Sequence, residues 1–194
     1  MTSGTAGPPP IREPFAKPEL LRDLAAVREW SMGFWRGFGP TELFAPLGDA
    51  WSPADNVRHL VKSNRPVAVA LGVPRLLLML RFGIARRPSR SYSAVRGVYH
   101  QALADGLKAG RYAARPVPPE QQTAEERERV LAALDETLSS LGRGLAGWSE
   151  RALDRLRLPH PGIGLLTVRE MVGWTLYHNA HHVANVERLL ASRE

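Results

Sequence analysis

Four long segments of the sequence repeat apolar residues every three or four positions, and this periodicity strongly limits what the chain can fold into. The spacing predicts helices over residues 19–38, 52–72, 124–148 and 167–194. No segment shows a convincing strand pattern. We therefore predict an all-α fold, an up-down four-helix bundle in which each helix turns its apolar stripe inward.

The predicted second and fourth helices begin with capping signals. Ser52 is followed by Pro53 and Asp55, and Thr167 is followed three residues later by Glu170. A hydroxyl at the N-cap and a carboxylate three positions on satisfy backbone amides that the first helical turn leaves unpaired. We therefore assign Asp55 and Glu170 to capping rather than to catalysis.

We predict one bundle domain, residues 19–194, preceded by an N-terminal arm and interrupted by an insertion. Residues 1–18 are rich in proline and are predicted to form an extended arm. An irregular or helical insertion, about residues 81–122, separates the second and third helices and contains one short helix, residues 93–109. Long insertions in compact domains tend to be functional covers. Residues 159–164, with two prolines and two glycines, are predicted to be a loop.

Composition narrows the classes of function. The chain has no cysteine, which excludes disulfides, thiolate metal ligands and a cysteine nucleophile. The net charge is +7, and most of the positively charged residues are arginines. The sequence has no helix-turn-helix signature. We predict a solvated or substrate-steering surface and no nucleic-acid partner; binding to nucleic acid or a membrane is the alternative.

We predict the cellular location of the protein from the targeting signals that we look for in its sequence. We recognise no signal peptide at the start of the sequence. No segment supplies the roughly 20 predominantly apolar residues that a transmembrane helix needs. A cytoplasmic protein without a transmembrane segment is expected, and we expect it to form a homodimer.

Three of the six histidines fall within five residues, at positions 178, 181 and 182. On a helix, His178 and His182 lie one turn apart on the same face, whereas His181 turns away toward the rim. Two imidazoles with this spacing can chelate one metal ion. A third ligand is expected from His59, in a polar stripe of the second helix. The alternative is that all three are polar core residues.

Other polar and aromatic side chains are expected to surround this triad as a second shell or a substrate pocket. They are Asn56, Ser63, Trp174, Tyr177, His181 and Asn185. His100 and His160 receive no role, and His160, beside Pro161, is predicted to be exposed.

Two segments resemble the DinB-like superfamily of metal-binding four-helix bundles. Residues 51–61, Trp-Ser-Pro-Ala-Asp-Asn-Val-Arg-His-Leu-Val, resemble its second-helix segment. Residues 166–185, from Leu-Thr-Val-Arg-Glu-Met to Tyr-His-Asn-Ala-His-His-Val-Ala-Asn, resemble its fourth-helix segment. The insertion, with Arg-Pro-Ser-Arg-Ser-Tyr at residues 87–92, resembles one branch of that superfamily. The resemblance covers most of the chain from about residue 19.

The resemblance implies that His59, His178 and His182 are ligands of one divalent metal ion. The sequence departs from the family at Val183 and Asn185, where many members carry arginine and glutamine. This departure puts any inherited substrate specificity in doubt. Zinc is the first expectation for the ion, with nickel, iron or manganese as alternatives, because imidazole binds several of these metals.

The resemblance also implies a class of reaction. Members of the superfamily include thiol-dependent transferases and an isomerase that use low-molecular-weight thiols such as mycothiol or bacillithiol. We therefore expect a metal-dependent S-transferase acting on a thiol and an electrophile. Basic residues between Arg75 and Arg96 are expected to help hold an acidic thiol if the insertion covers the site.

Two alternatives to the transferase stay open. One is a non-catalytic stress-response bundle that binds a metal or a small ligand. The other is a metal-dependent hydrolase, which is the weaker of the two because no clear general base is present in the sequence.

Overall fold

Four long helices and a set of shorter elements make up the computed structural model, which describes residue 7 and residues 9–193. Of the predicted arm, residues 1–6 and residue 8 lie outside the described residues, and residues 9–15 contain no helix or strand. In chain order the elements are α1 (Lys17–Arg36), α2 (Pro40–Phe44), α3 (Pro53–Gly72), α4 (Arg75–Phe82), α5 (Tyr92–Ala104), α6 (Ala124–Ala146), α7 (Glu150–Arg155), β1 (Arg157–His160), β2 (Gly164–Thr167) and α8 (Val168–Ala191).

The long helices α1, α3, α6 and α8 form the predicted four-helix bundle, which is confirmed. Helices α1 and α3 each pack on both α6 and α8. Lys17 at the start of α1 donates a hydrogen bond to the Ala146 carbonyl at the end of α6, so these helices are antiparallel. The indole of Trp148, just after α6, donates to the Leu71 carbonyl near the end of α3, so α3 and α6 are parallel.

The helix directions in chain order are therefore up, down, down and up, with α8 antiparallel to α3, which differs from the alternating up-down order that we predicted. Two helices joined by a short turn must be antiparallel neighbours. The connection over residues 73–123 is long enough to return to the starting end of the bundle, which lets α6 run alongside α3 in the same direction. The insertion thus decides the topology of the bundle.

Apolar stripes on the four helices meet in one core. The stripe predicted for α6 is buried along its length; its members are Val130, Leu131, Leu134, Leu138, Leu141 and Leu145. Helices α3 and α6 lie close together at Gly144, where a Cβ atom would lie 2.8 Å from the Cβ of Leu71. Glycine at this position therefore permits the close approach of the two helices.

The insertion contains helices α4 and α5 followed by a less regular stretch with two 3₁₀ turns, Gly110–Tyr112 and Pro119–Gln121. The helix predicted over residues 93–109 ends earlier, at Ala104, because Gly106 adopts a φ angle of 91° that a helix cannot continue through. Within the described part of the chain, none of the helices combines the length and the apolar character that crossing a bilayer requires.

A β-hairpin occupies residues 157–167, part of which we predicted to be a loop. Strands β1 and β2 pair antiparallel, and His160 lies opposite Gly164 at the end of the ladder. The Nδ1 atom of His160 accepts hydrogen bonds from the amides of Gly162 and Ile163, at 3.1 and 3.2 Å, and so fastens the turn. The loop prediction was wrong because strands of four residues are too short to show alternation in the sequence.

A buried carboxylate anchors the start of α8. Glu170 is 1% exposed and accepts hydrogen bonds from the Thr167 amide at 3.0 Å, from Arg87 at 2.8 Å and from Arg90 at 3.0 Å. The predicted capping role of Glu170 is confirmed, and the same carboxylate also ties the insertion to α8. Burial raises the pKa of Glu170, but the hydrogen bonds from Arg87, Arg90 and the backbone outweigh burial and lower it to about 2.

We predict that Glu170→Gln lowers the free energy of unfolding by roughly 3 kcal/mol at neutral pH. The folded-state pKa of Glu170 lies below the ordinary value of 4.5, so its contribution is complete above about pH 5. That contribution is lost as the pH falls toward about 2, where the carboxyl becomes protonated. Urea denaturation at neutral and acidic pH should show the difference between wild type and variant shrinking with acidification.

Glu136→Gln is the matched control, since Glu136 forms a salt bridge with Arg143 on the surface and is 68% exposed. Exposed ion pairs of this kind contribute less than about 1 kcal/mol. Equal losses of stability in the two variants at neutral pH would contradict the anchoring role of Glu170.

Candidate metal centre

Three imidazole rings meet where α3 packs on α8. The Nε2 atom of His178 lies 3.2 Å from Nε2 of His59 and 3.2 Å from Nε2 of His182. One ring nitrogen from each residue lies within 4.8 Å of the others, and the three can hold a metal ion. His59 and His178 are buried, and His182 is half-buried. The structure thus brings the three predicted histidines together at one point.

The antiparallel contact of α3 and α8 sets the position of these rings. His178 and His182 are one turn apart on α8, so both rings reach the turn of α3 that carries His59. Further along the contact, the side-chain amide of Asn64 donates to the amide oxygen of Asn179 at 3.3 Å, and both side chains are buried. This amide pair, which the sequence did not reveal as a site feature, fastens the two helices in register.

Hydrogen bonds at the Nδ1 atoms determine the tautomers of His59 and His182. Nδ1 of His59 lies 2.9 Å from the carbonyl oxygen of Tyr112, which can only accept, so this nitrogen carries the hydrogen. Nδ1 of His182 lies 2.7 Å from the side-chain oxygen of Asn56. The Asn56 amide nitrogen donates to the Ser52 carbonyl at 2.9 Å, which directs its oxygen toward His182.

His178 follows the same pattern through Ser63. The Ser63 hydroxyl lies 2.9 Å from the His59 carbonyl, to which it donates, and 3.4 Å from Nδ1 of His178. Its single hydrogen is used by the carbonyl, so the hydroxyl oxygen accepts from Nδ1 of His178. All three Nε2 atoms therefore carry lone pairs, and they face one another with no hydrogen between them. A cation among them converts this repulsion into coordination.

The buried environment keeps the three rings neutral. Burial lowers the pKa of His178 and His182 well below the ordinary value, and the neighbouring histidines lower it further. Burial also lowers the pKa of His59, against the opposing effect of the hydrogen bond to the Tyr112 carbonyl. Neutral imidazole is the form that binds metal ions, so the ligands need not lose a proton first.

The separation of the nitrogens fits a divalent transition metal. Two nitrogens at 2.1 Å from a common ion are about 3.0 Å apart at a right angle and about 3.4 Å apart at the tetrahedral angle. The two separations measured from Nε2 of His178, to Nε2 of His59 and of His182, are both 3.2 Å and lie between these values. Three protein ligands also leave coordination positions open, which is typical of catalytic rather than structural sites.

A pocket of about 710 Å³ opens at the three histidines. Most of its walls are apolar or aromatic, and prominent among them are Trp51, Tyr99, Leu103, Leu107, Tyr112 and Trp174. Four of these six belong to the insertion between α3 and α6. The insertion therefore covers the site, and its Tyr112 carbonyl also orients a histidine of the triad.

The other predicted site residues lie around the triad, with one exception. Asn56, Ser63, Trp174, His181 and Asn185 all line the pocket. The Trp174 ring stacks on His178, with centroids 4.5 Å apart and an interplanar angle of 19°.

Tyr177 does not line the pocket. Its hydroxyl lies 2.8 Å from Nε2 of His100 and 3.2 Å from Nδ1 of His181. Tyr177 therefore positions His181, which is the pocket residue of this group.

The prediction that His160 is exposed was wrong. His160 is 7% exposed, lines the pocket, and packs against the Trp174 ring with centroids 4.5 Å apart. Burial lowers its pKa to about 4, so the ring is neutral. The β1–β2 hairpin brings His160 to the site. The prediction of exposure rested on the neighbouring Pro161, which carries no information about this long-range contact.

The structure also contradicts the expectation that basic residues between Arg75 and Arg96 reach a substrate in this pocket. None of these arginines lines it, and Arg87 and Arg90 are bound to Glu170. Among the described residues that form the walls, Lys108 is the one lysine or arginine, and none is aspartate or glutamate.

Comparison with known proteins agrees with this architecture. The family model of the DinB superfamily matches residues 23–186, which include all three histidines. No curated protein matches the sequence.

Two solved structures are similar in fold. TT2238, described as a four-helix bundle protein, is 22% identical, with a TM-score of 0.53 over 89% of this chain and 99% of that one. YfiT from Bacillus subtilis, described as a probable metal-dependent hydrolase with an unusual four-helix bundle topology, is 17% identical, with a TM-score of 0.57 over 94% of this chain and 91% of that one. At these identities the likeness concerns the fold alone. Because the family model spans most of the sequence, the chain belongs to the DinB superfamily.

Proposed function

We propose that this protein is a metal-dependent S-transferase that joins a low-molecular-weight thiol to an apolar electrophile. The observation that carries the proposal is the convergence of the three Nε2 atoms on a pocket of small-molecule size. Such a donor set serves an ion that keeps open positions for a substrate.

The residues of the site have distinct roles in this proposal. His59, His178 and His182 hold a divalent ion, with zinc as the first expectation and nickel, iron or manganese as alternatives. When bound, the ion supplies a Lewis acid that lowers the pKa of a thiol. Asn56 and Ser63 fix the rings of His182 and His178, and the hydrophobic walls keep water away from the reacting groups.

The reaction does not require a general base from the protein. The thiol sulfur forms a bond to the electrophilic carbon, the leaving group departs with its electron pair, and the thiol proton passes to solvent. A thiol with an ordinary pKa of about 8.5 loses its proton far more readily than water does. The described walls of the pocket contain no carboxylate to act as a general base, and this favours thiol transfer over attack by water.

The aromatic walls of the pocket favour an apolar electrophile as the second substrate. Aromatic and aliphatic side chains bind apolar molecules by removing their surface from water. Lys108 is the one lysine or arginine among the described wall residues, so a highly charged electrophile would find few partners there. We therefore propose an apolar or aromatic electrophile.

Two other functions remain as competing hypotheses. The description of the Bacillus subtilis structure as a probable metal-dependent hydrolase favours a reaction in which activated water is the nucleophile. A metal-binding bundle without catalysis is the third possibility, and it predicts a retained ion and no turnover.

We predict that protein purified without a histidine tag carries about one equivalent of divalent metal per chain, and that His59→Ala loses most of it. Elemental mass spectrometry measures the content. His100→Ala is the matched control, because His100 is an exposed histidine outside the triad and its removal should leave the metal content unchanged. Failure of wild type to bind zinc, nickel, iron or manganese would overturn the proposal.

Asn56→Leu is predicted to weaken metal affinity about ten- to a hundredfold, because it removes the acceptor that orients the His182 ring. Competition with a chromophoric chelator measures the affinity. Asn185→Leu provides the comparison, since Asn185 lines the same pocket but bonds to Arg188 rather than to a ligand histidine. Equal weakening in both variants would show that Asn56 does not act through the ring.

The transferase is tested with metal-loaded protein, a set of low-molecular-weight thiols and chlorodinitrobenzene as the electrophile. We expect thioether formation that depends on the thiol and falls at least a hundredfold in His178→Ala. Hydrolysis of nitrophenyl acetate without any thiol would favour the hydrolase instead. Bound metal with neither reaction would favour the non-catalytic bundle.

A further inference from the structure

The outer face of α4 exposes a cluster of large apolar side chains that the metal site does not explain. Leu78 is only 4% exposed and faces the core. On a helix, Leu76 and Leu80 lie on the opposite side from Leu78, and Leu77 and Met79 lie at the two edges of their face. Their exposed fractions are 59% for Leu76, 54% for Leu77, 40% for Met79 and 72% for Leu80. A contiguous apolar face of this kind marks an interaction surface.

The chain around this leucine face is strongly basic. Residues 56–104 contain nine lysines and arginines and no aspartate or glutamate. Since the whole chain has a net charge of +7, the remainder is slightly acidic. The positive charge of the protein is therefore concentrated in the segment that contains α4.

Arginines border the leucine face on both sides. Helical geometry places Arg75 and Arg81 at its two edges, and the exposed Arg86 follows shortly after the helix. Arg75 donates to the carbonyl oxygen of Gly147 and its guanidinium lies over the ring of Trp148, while the guanidinium of Arg81 lies over the ring of Phe82. None of these contacts involves an anionic group, so both exposed arginines keep a positive charge beside the leucine face.

We propose that α4 docks the protein on the surface of an anionic lipid bilayer. The leucine face enters the boundary between headgroups and acyl chains, and Arg75, Arg81 and Arg86 meet the lipid phosphates. An interfacial helix needs this combination of an apolar face and flanking cations. With eight residues, α4 is far too short to span a bilayer and lies on its surface.

The charges favour a membrane over other occupants. Two copies of the chain paired through this face would bring their arginines together, and like charges across an interface cost free energy. Nucleic acid satisfies arginines through its phosphates but gives no apolar environment to exposed leucines. An anionic bilayer satisfies both the apolar face and the cations.

The test is flotation of the full chain with vesicles. One set is phosphatidylcholine alone, and the other contains phosphatidylglycerol as well. We expect binding to the anionic vesicles that falls steeply with added salt, and little binding to neutral ones. The double substitution Leu76→Ser with Leu80→Ser should weaken binding at least about tenfold. Replacing Arg81 and Arg86 with glutamine should weaken it about fivefold for each charge removed.

Val98→Ser is the matched control, because Val98 is an exposed apolar residue of α5, 37% exposed, outside the leucine face. Its binding should equal that of wild type. All variants should keep the circular dichroism spectrum and metal content of wild type, since the substituted side chains are on the surface.

Several results would overturn the proposal. They are no flotation of wild type with either vesicle, equal flotation of wild type and the double leucine variant, or light scattering that shows a dimer dissolved by the leucine substitutions. Tight binding of duplex DNA that survives the leucine substitutions but not the arginine substitutions would assign the patch to nucleic acid instead.

Discussion

The packing of α3 against α8 is the contact on which the rest of the structure depends. It buries an amide pair, Asn64 with Asn179, and brings His59 against His178 and His182. Buried polar groups must find partners because water cannot replace them. A shift of one helix by a single residue would leave the amides and the Nδ1 atoms unpaired, so these polar contacts hold the helices in one register.

The insertion extends this arrangement to the pocket. One end is fastened at the start of α8 by Glu170, which binds Arg87 and Arg90. The other end is fastened along α3, where the Tyr112 carbonyl accepts from His59 and the Ala113 carbonyl accepts from Lys62 at 2.7 Å. The hydrogen bond from His59 to the Tyr112 carbonyl thus both holds the insertion over the pocket and orients a candidate ligand. Movement of the cover and occupancy of the metal site are expected to influence each other through His59.

The distribution of charge divides the molecule into two environments. The candidate metal centre contains neutral imidazoles in apolar surroundings, where burial lowers the pKa of every ring of the triad. Of the cations in the insertion, Lys108 lines the pocket, whereas Arg87 and Arg90 bind Glu170 and Arg81 and Arg86 are exposed outside the pocket. A basic isoelectric point in this chain therefore reflects an outer surface and says little about the pocket.

Much of this organisation could be predicted from the sequence because it depends on local spacing. Helical periodicity located the four long helices, and the capping residues located the starts of α3 and α8 to within a residue. The spacing of His178 and His182 placed both rings on one face before any contact was known. Each of these features is set within one or two turns of a helix, where neighbours in sequence are also neighbours in space.

Only the tertiary structure decided the features that join distant segments. The burial of His160 depends on a hairpin whose four-residue strands show no alternation in the sequence. Two of the arginines expected near a substrate, Arg87 and Arg90, bind the buried carboxylate of Glu170 instead, because an unpaired buried charge costs far more than an exposed one. The sequence alone determined which side chains could bind a metal ion. Long-range packing decided which tautomer each would adopt and what would cover them, since hydrogen-bond partners such as the Tyr112 carbonyl lie far away along the chain.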